Sequence, residues 1–250
     1  MPLVETEAIV LRTYRLGEAD KIVSLFTRQM GRARAVASGA QRTKSRYGGT
    51  LESLSYVRLW LYERENRDLA RLNSVEIIES FFDMQRDYAS HLAAQYVVEV
   101  SERLLPEREV NERIFRLLLV VLRSLKRFRE IDRPLVYFNY WMLRLGGFLP
   151  DLTACGGCGR IFQDEAVYYG PGTPAPVGKE CHLGALAAGK IVSARGLRET
   201  QAACGQSLEK WMGDKAIPNF CKEVREFLEL LVESQVERKL ITRDLLTEVT

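Results

Sequence analysis

Residues 8–37 read AIVLRTYRLGEADKIVSLFTRQMGRARAVA, and this stretch decides the fold predicted for the first part of the chain. It contains three short runs of β-branched and apolar residues, separated by turn signals at Leu16-Gly17-Glu18 and Met30-Gly31. Short runs of this kind between glycine-containing turns are typical of antiparallel strands. The stretch therefore predicts three consecutive strands.

The third run adds a clue to what these strands enclose. Because side chains alternate along a strand, Arg32 and Arg34 share one face. The other face carries Ala33, Ala35 and Ala37. Small residues suit the interior of a tight barrel. The run therefore predicts an arginine-bearing outer face and a buried alanine face.

Working outward from this stretch, two more strand-like runs follow before residue 80. The five predicted strands are Ala8 to Thr13, Ile22 to Thr27, Arg32 to Ala37, Tyr56 to Tyr62 and Leu69 to Ile78. Five short strands in a domain of this size are what an OB-fold β-barrel requires. We therefore expect residues 1–80 to form an OB-fold nucleic-acid-binding domain.

The charge of this first segment is unevenly distributed. Residues 12–46 contain nine Lys and Arg residues against two acidic residues, Glu18 and Asp20, a local excess of +7. The loop at residues 38–46 contributes Arg42, Lys44 and Arg46, with small and hydroxyl residues between them. A basic surface of this kind binds phosphates by releasing condensed counterions. Stacking platforms for bases are offered by Tyr14, Tyr47 or Tyr56. The charge is equally compatible with an ordinary solvated surface.

After residue 80 the hydrophobic period changes from that of strands to that of helices. Apolar residues recur every fourth position from Tyr88 to Leu104, which predicts a helix ending near Pro106. Further helices are expected at Glu109 to Phe128, Leu135 to Leu145 and roughly Asn219 to Lys239. The predicted fold class is thus α+β, with an α-helical domain at 81–250 and a small Cys-, Gly- and Pro-rich, zinc-ribbon-like insert at 151–189.

The insert carries a pattern that can bind metal. Cys155 and Cys158 form a Cys-x-x-Cys turn, and Cys181 follows. A zinc ribbon needs a second such turn, because tetrahedral zinc takes four ligands. Here Gly184 stands where the fourth cysteine would be, so a zinc site would consist of three thiolates with His182, water or a remote group as the fourth ligand. The pattern favours the other interpretation, a metal-free knuckle held by glycine turns and apolar packing. The remaining cysteines, Cys204 and Cys221, are predicted core thiols.

The chain shows no catalytic signature. It has only two histidines, and it lacks a Gly-x-x-x-x-Gly-Lys-Ser/Thr loop, a Gly-x-Ser-x-Gly elbow and a His-Glu-x-x-His pair. We therefore expect a binding protein, not an enzyme. The cysteine pattern fits a reducing compartment, and no leader or membrane span is visible, which predicts a cytoplasmic location.

Several motifs resemble those of the RecO family of bacterial DNA repair proteins, which are recombination mediators. The resemblance rests on residues 8–12 (AIVLR), 16–27 (LGEADKIVSLFT), Gly31, 37–45 (ASGAQRTKS), 145–150 (LGGFLP) and 155–159 (CGGCG). It spans nearly the whole chain, and the basic loop with the preceding Gly-Glu-Ala-Asp-Lys stretch is its most specific part.

The resemblance implies a non-enzymatic protein that binds single- and double-stranded DNA and anneals complementary strands. It further implies partnership with RecR and with the C-terminal tail of the single-strand-binding protein, in order to load RecA. It places DNA contacts on the barrel, at Arg12, Lys21, Arg32, Arg34, Arg42, Lys44 and Arg46. Family members often have a four-cysteine zinc site, from which Gly184 departs. The alternative is a protein–protein adaptor whose barrel has little direct contact with nucleic acid.

Overall fold

The predicted barrel is present in a computed structural model of the chain, which describes residues 3–62, 69–170, 175–182, 190–214, 218, 220–236 and 238–249. Its strands are β1 (Leu3–Leu16), β2 (Asp20–Thr27), β3 (Gly31–Ala37), β4 (Tyr56–Tyr62) and β5 (Leu69–Glu79). They close in the order β1-β2-β3-β5-β4, and all neighbouring pairs are antiparallel except β3 with β5. The predicted α+β fold class with a five-stranded barrel is confirmed.

The barrel closes because β1 is long enough to pair with two neighbours. Its first half pairs with β4 from Leu3 to Ile9, and the rest pairs with β2 from Ala8 to Leu16. A register shift between Val10 and Arg12 marks a bulge, which bends a strand and increases its twist. The bend lets a single strand serve both sheets of the barrel.

Inside the barrel lie apolar side chains from all five strands, as the alternation predicted. Ala35 and Ala37 of β3 are fully buried against valines and leucines of the other strands. Each buried Val or Leu side chain contributes about 1.5 to 3 kcal/mol to folding. The outer face of β3 carries the arginines, which confirms the predicted faces for Ala35 and Ala37, whereas Ala33 near the start of the strand is only half-buried.

Three helical segments follow the barrel in the first unit, Met1–Leu122, and the last of them continues past Leu122. A short 3-10 helix (Phe82–Arg86) precedes α1 (Tyr88–Leu104), whose N-terminus is capped by the side chain of Asp87 accepting from the Ser90 amide. The next helix, α2 (Glu112–Phe128), starts three residues later than predicted because the Asn111 side chain accepts from the Ile114 amide. Phe115 of α2 packs on Phe26 and Tyr56 of the barrel, with ring centroids 6.1 Å apart in both pairs.

The second unit, Arg123–Thr250, is mainly helical. Its elements are α3 (Asp132–Leu145), β6 (Ala166–Tyr169), α4 (Lys179–His182), β7 (Lys190–Ser193), α5 (Ala194–Cys204), α6 (Leu208–Met212), α7 (Phe220–Val236) and α8 (Ile241–Val249). The pair β6–β7 and the helices α4, α5, α6 and α8 were not predicted. Cys204 and Cys221 are fully buried, which confirms their prediction as core thiols. Burial raises the pKa of the Cys221 thiol to about 12. Within the described residues, no helix is both long and apolar enough to cross a membrane.

Candidate functional site

The basic loop between β3 and β4 is held against one end of the barrel. The Asp20 carboxylate accepts from the Gly39 amide at 2.8 Å, and the Ala19 carbonyl accepts from the Gln41 amide at 2.9 Å. The Gln41 side chain also donates to the Asp20 carbonyl at 2.6 Å. These bonds fix the start of the loop to the turn between β1 and β2, so its cations are presented from a defined surface.

The far end of the loop is anchored by Tyr47. This side chain is buried in the barrel core, and its hydroxyl donates to the Leu72 carbonyl at 3.0 Å. The Arg46 guanidinium lies over the Tyr47 ring, 4.9 Å from its centroid, and donates to its hydroxyl at 2.7 Å. The loop thus runs from the β1–β2 turn to β5 and carries exposed Arg42 and Lys44 between its two anchors.

Five cations lie either on this loop or on the ends of β1 and β2 to which the loop is bonded, and we name them the barrel-end cluster: Arg15, Lys21, Arg42, Lys44 and Arg46. Arg15 and Lys21 are direct cross-strand partners. Like charges in that position repel each other, which favours a bound anion. None of the five forms an ion pair with a carboxylate in the described part of the chain. The sequence did not single out Arg15 for binding; its pairing with Lys21 becomes visible only in the strand register.

The other predicted DNA-binding arginines lie on the outer face of the barrel and have carboxylate partners. Arg12 pairs with Glu102 of α1 at 2.8 Å. Arg32 and Arg34 pair with one oxygen of Glu107, in the α1–α2 segment, at 3.4 and 3.3 Å. The structure therefore separates the seven predicted residues into two groups, one without carboxylate partners and one with them.

Of the three tyrosines predicted to stack on bases, two are buried and one is exposed. Tyr47 and Tyr56 were wrong predictions, because both are buried, Tyr47 in the barrel core and Tyr56 against Phe115. The Tyr56 hydroxyl donates to the Glu7 carboxylate at 2.7 Å. Tyr14 is 48% exposed on the outer face and is therefore the one of the three that can stack on a base.

Arg28 lies in a further group of ion pairs, and this group stabilises the fold. Arg28 follows β2 and donates to Glu7 at 2.8 Å and, in a two-bonded pair, to Glu112 of α2 at 2.9 and 2.7 Å. Bidentate pairing of this kind is geometrically specific. The hydrogen bonds that Arg28 donates to Glu112 and Glu7 raise the pKa of Arg28, and those to Glu112 lower the pKa of that carboxyl group. Arg28 thus joins the barrel to the start of α2.

The three cysteines of the insert are brought together as predicted. The sulfur atoms of Cys155, Cys158 and Cys181 all lie within 4.8 Å of one another. The Gly178 amide donates to the Cys155 sulfur at 3.3 Å. A side chain at Gly157 would have its Cβ 3.1 Å from the Cys181 sulfur, so it would crowd the sulfur by a few tenths of an ångström. Close thiols with amide donors fit the soft ligand set that zinc takes in proteins.

Electrostatics at this cluster favour one thiolate. Burial raises the pKa of the Cys155 thiol, but hydrogen bonds from backbone amides, that of Gly178 first, outweigh it and bring the pKa to about 6. Hydrogen bonding to Cys158 and Cys155 raises the pKa of Cys181 to about 11. A thiolate at Cys155 is the form that binds a metal ion.

His182 was a wrong prediction for the fourth ligand. Its ring stacks on Tyr168, with centroids 4.1 Å apart and planes 9° from parallel, and it is not part of the group of close metal-binding atoms. Adjacent residues on the short helix α4 point in different directions, so Cys181 and His182 do not converge on one ion. Gly184, the other position considered, lies outside the described residues.

Comparisons with known proteins cover almost the whole chain. The family model described as Recombination protein O N terminal matches residues 1–81, and the one described as Recombination protein O C terminal matches residues 85–244. A DNA repair protein RecO from Koribacter versatilis is 37% identical over 247 residues, which are 99% of each chain. Another from Symbiobacterium thermophilum is 38% identical over 177 residues, 68% of each.

A third relative, the DNA repair protein RecO from Anaeromyxobacter sp., is 28% identical and aligns over 100% of this chain and 98% of its own. The two family models meet between residues 81 and 85, close to the end of the barrel at Glu79. They also agree with the resemblance seen in the sequence motifs. The chain belongs to the RecO family of DNA repair proteins.

Proposed function

We propose that this protein binds DNA through the barrel-end cluster and anneals complementary single strands during recombinational DNA repair. Membership of a family named for DNA repair and recombination supports the general role. The observation that carries the proposal is the set of five cations at one end of the barrel that have no carboxylate partner among the described residues. In this proposal residues 1–80 are the DNA-binding domain and residues 81–250 the helical domain.

A cation without an acidic partner can bind phosphate without first breaking an ion pair. Each phosphate neutralised releases condensed counterions, which is the main source of affinity without sequence preference. Arg42 and Lys44 stand exposed between the two anchors of the loop, so a strand can cross them without remodelling the barrel. Single- and double-stranded DNA both offer this phosphate chemistry.

Annealing requires two physical conditions. Repulsion between two phosphate backbones must be screened, and contacts to each strand must be weak enough to allow changes of register. A cluster of Lys and Arg side chains satisfies both, since it contacts phosphates and reads no base edges. The partners in this proposal are RecR and the C-terminal tail of the single-strand-binding protein, with RecA loaded as the outcome, in the cytoplasm where bacterial DNA lies. We propose no catalytic step.

A fluorescence annealing assay tests this function. Two complementary labelled strands are mixed with the purified full chain, with and without single-strand-binding protein covering the strands. We expect the protein to accelerate pairing at low salt and to do so on covered strands as well. Binding of the single-strand-binding protein without any acceleration of annealing would instead favour the adaptor alternative and contradict the proposal.

We further propose that the cysteine cluster binds zinc through Cys155, Cys158 and Cys181, with water or a group outside the cluster as fourth ligand. Elemental analysis of the purified chain is expected to find about one zinc per chain. Replacing Cys155 by serine is expected to remove it, whereas His182→Asn, the matched control, is expected to retain it. A wild-type protein without zinc, or loss of zinc in the His182 variant, contradicts this assignment.

A further inference from the structure

The outer face of the barrel presents a second group of cations, separate from the barrel-end cluster. Arg12 on β1 and Arg34 on β3 are both cross-strand partners of Ser24 on β2, so they flank this residue on one face. Neighbouring strands lie about 4.8 Å apart, which places their Cα atoms about 10 Å from each other. Tyr14 is paired with Ile22, which lies two residues before Ser24 on β2, so Tyr14 is on the same face as Arg12.

The carboxylate shared by Arg32 and Arg34 is weakly held, whereas Arg12 and Glu102 are in close contact at 2.8 Å. Arg32 and Arg34 share a single oxygen of Glu107 at 3.4 and 3.3 Å, beyond the roughly 2.7 to 2.9 Å of a strong charged hydrogen bond. The Arg34 and Glu107 side chains are 42% and 41% exposed. Ion pairs with this exposure contribute about 0 to 1 kcal/mol. A competing anion can therefore displace Glu107 at low cost.

The guanidinium groups also retain unused donor capacity. The Nε of Arg34 donates to no residue in the described ranges, and the Nε of Arg12 forms an ion pair with Glu102 without an aligned hydrogen bond. Arg32 differs, because its Nε donates to the Leu105 carbonyl at 2.9 Å and its carbonyl accepts from the Arg108 amide at 2.9 Å. Arg32 thus anchors the α1–α2 segment, while Arg34, with its longer and exposed ion pair, can exchange partners.

An aromatic ring completes the face. Tyr14 stands beside Glu102, and burial together with this carboxylate raises the pKa of the Tyr14 hydroxyl. Its ring is nevertheless about half exposed. Arginines flanked by an exposed ring are the combination that holds single-stranded nucleic acid, with phosphates on the cations and a base on the ring.

We propose that Arg12, Arg34 and Tyr14 form a second site for a single nucleic-acid strand, which Glu102 and Glu107 occupy in the free protein as substitutes for phosphate. This inference deepens the proposed DNA-binding function and rests on it. A strand entering this site must displace the carboxylates, so it binds more weakly than a strand at the barrel end. Because one of the two strands is bound weakly at this site, it can shift its register relative to the other strand during annealing.

The test uses fluorescence anisotropy of a short labelled oligo(dT) with the full chain in which Arg42, Lys44 and Arg46 are alanine, so that the barrel end contributes little. In this background Glu107→Gln is expected to tighten binding about three- to fivefold, the equivalent of one weak ion pair. Glu109→Gln is the matched control. It removes the same charge two residues away, and among the described residues Glu109 forms no ion pair. We expect it to tighten binding less than about twofold.

A double-mutant cycle identifies the arginine involved. If Glu107 shields Arg34, the gain from Glu107→Gln disappears when Arg34 is alanine. Equal gains from the Glu107 and Glu109 variants, or a gain that survives Arg34→Ala, would overturn the second site. The same cycle in the otherwise wild-type chain separates the two proposals. One outcome would contradict DNA binding by the barrel-end cluster and still support the outer-face site. In it, the triple alanine variant binds as tightly as the wild type, and the gain from Glu107→Gln still disappears when Arg34 is alanine.

Discussion

Replacing Gly31 by alanine is expected to lower the free energy of unfolding by about 3 to 5 kcal/mol. Gly31 begins β3 with φ +65, a conformation that costs a non-glycine residue about 1 to 2 kcal/mol. A Cβ there would lie 2.0 Å from the carbonyl oxygen of Glu109 and 2.7 Å from its amide nitrogen. These are backbone atoms, so the α1–α2 segment must move away from the barrel and its bond from the Arg108 amide to the Arg32 carbonyl is strained or lost.

Urea unfolding followed by circular dichroism measures this effect, and Gly17→Ala is its matched control. Gly17 has nearly the same φ, +61, but a Cβ there would have nothing within 4 Å. Its substitution is therefore expected to lower the free energy of unfolding by only about 1 to 2 kcal/mol. Equal losses in the two variants would show that the contact of Gly31 with Glu109 contributes nothing to stability.

Replacing Arg42, Lys44 and Arg46 together by alanine is expected to weaken single-strand binding about 100-fold at low salt. Each lost contact to phosphate is worth about 1 kcal/mol or somewhat more, and three of them correspond to this factor. The residues are exposed and form no carboxylate pairs within the described ranges, so the barrel is expected to remain folded. Anisotropy of labelled oligo(dT) measures the affinity, and the unfolding midpoint verifies the fold.

The control for this variant removes the same number of charges elsewhere. Lys190, Arg195 and Arg198 are exposed cations of the second unit, each paired with a carboxylate, Glu226, Glu199 and Asp164 respectively. Their joint replacement by alanine is expected to change affinity less than about threefold, because only long-range, salt-screened attraction is lost. Similar losses in both triple variants would mean that net charge alone, and not the barrel end, determines binding.

The strands of the barrel could be predicted because each has a strong local signature. Alternation in β3 identified the buried Ala35 and Ala37, and turn residues near Gly17 and Gly31 marked the strand ends. The helices with long apolar stripes, α1, α2, α3 and α7, were predicted for the same reason. By contrast α8 has nine residues, too few for a clear period, and α5 contains Gly196 in its first turn, which weakens the helical signal.

The candidate site could be predicted only in part, because local sequence does not show which charges find partners. Arg32 and Glu107 are separated by more than seventy positions, and only the folded chain brings them together. Arg15 and Lys21 form a cross-strand pair that depends on the exact register of β1 and β2. Tyr47 follows the basic loop directly and is buried because its hydroxyl reaches β5. Long-range pairing, not composition, decides which cations are available to DNA.

The most direct test of the central claim is the salt dependence of oligo(dT) binding by the wild-type chain and by the Arg42, Lys44, Arg46 triple alanine variant. For single strands the slope of log affinity against log salt is about −0.7 per neutralised phosphate. We expect a steep negative slope for the wild type and a slope shallower by about 2 for the variant. Equal slopes for the two proteins, or wild-type binding that does not depend on salt, would contradict DNA binding by the barrel-end cluster.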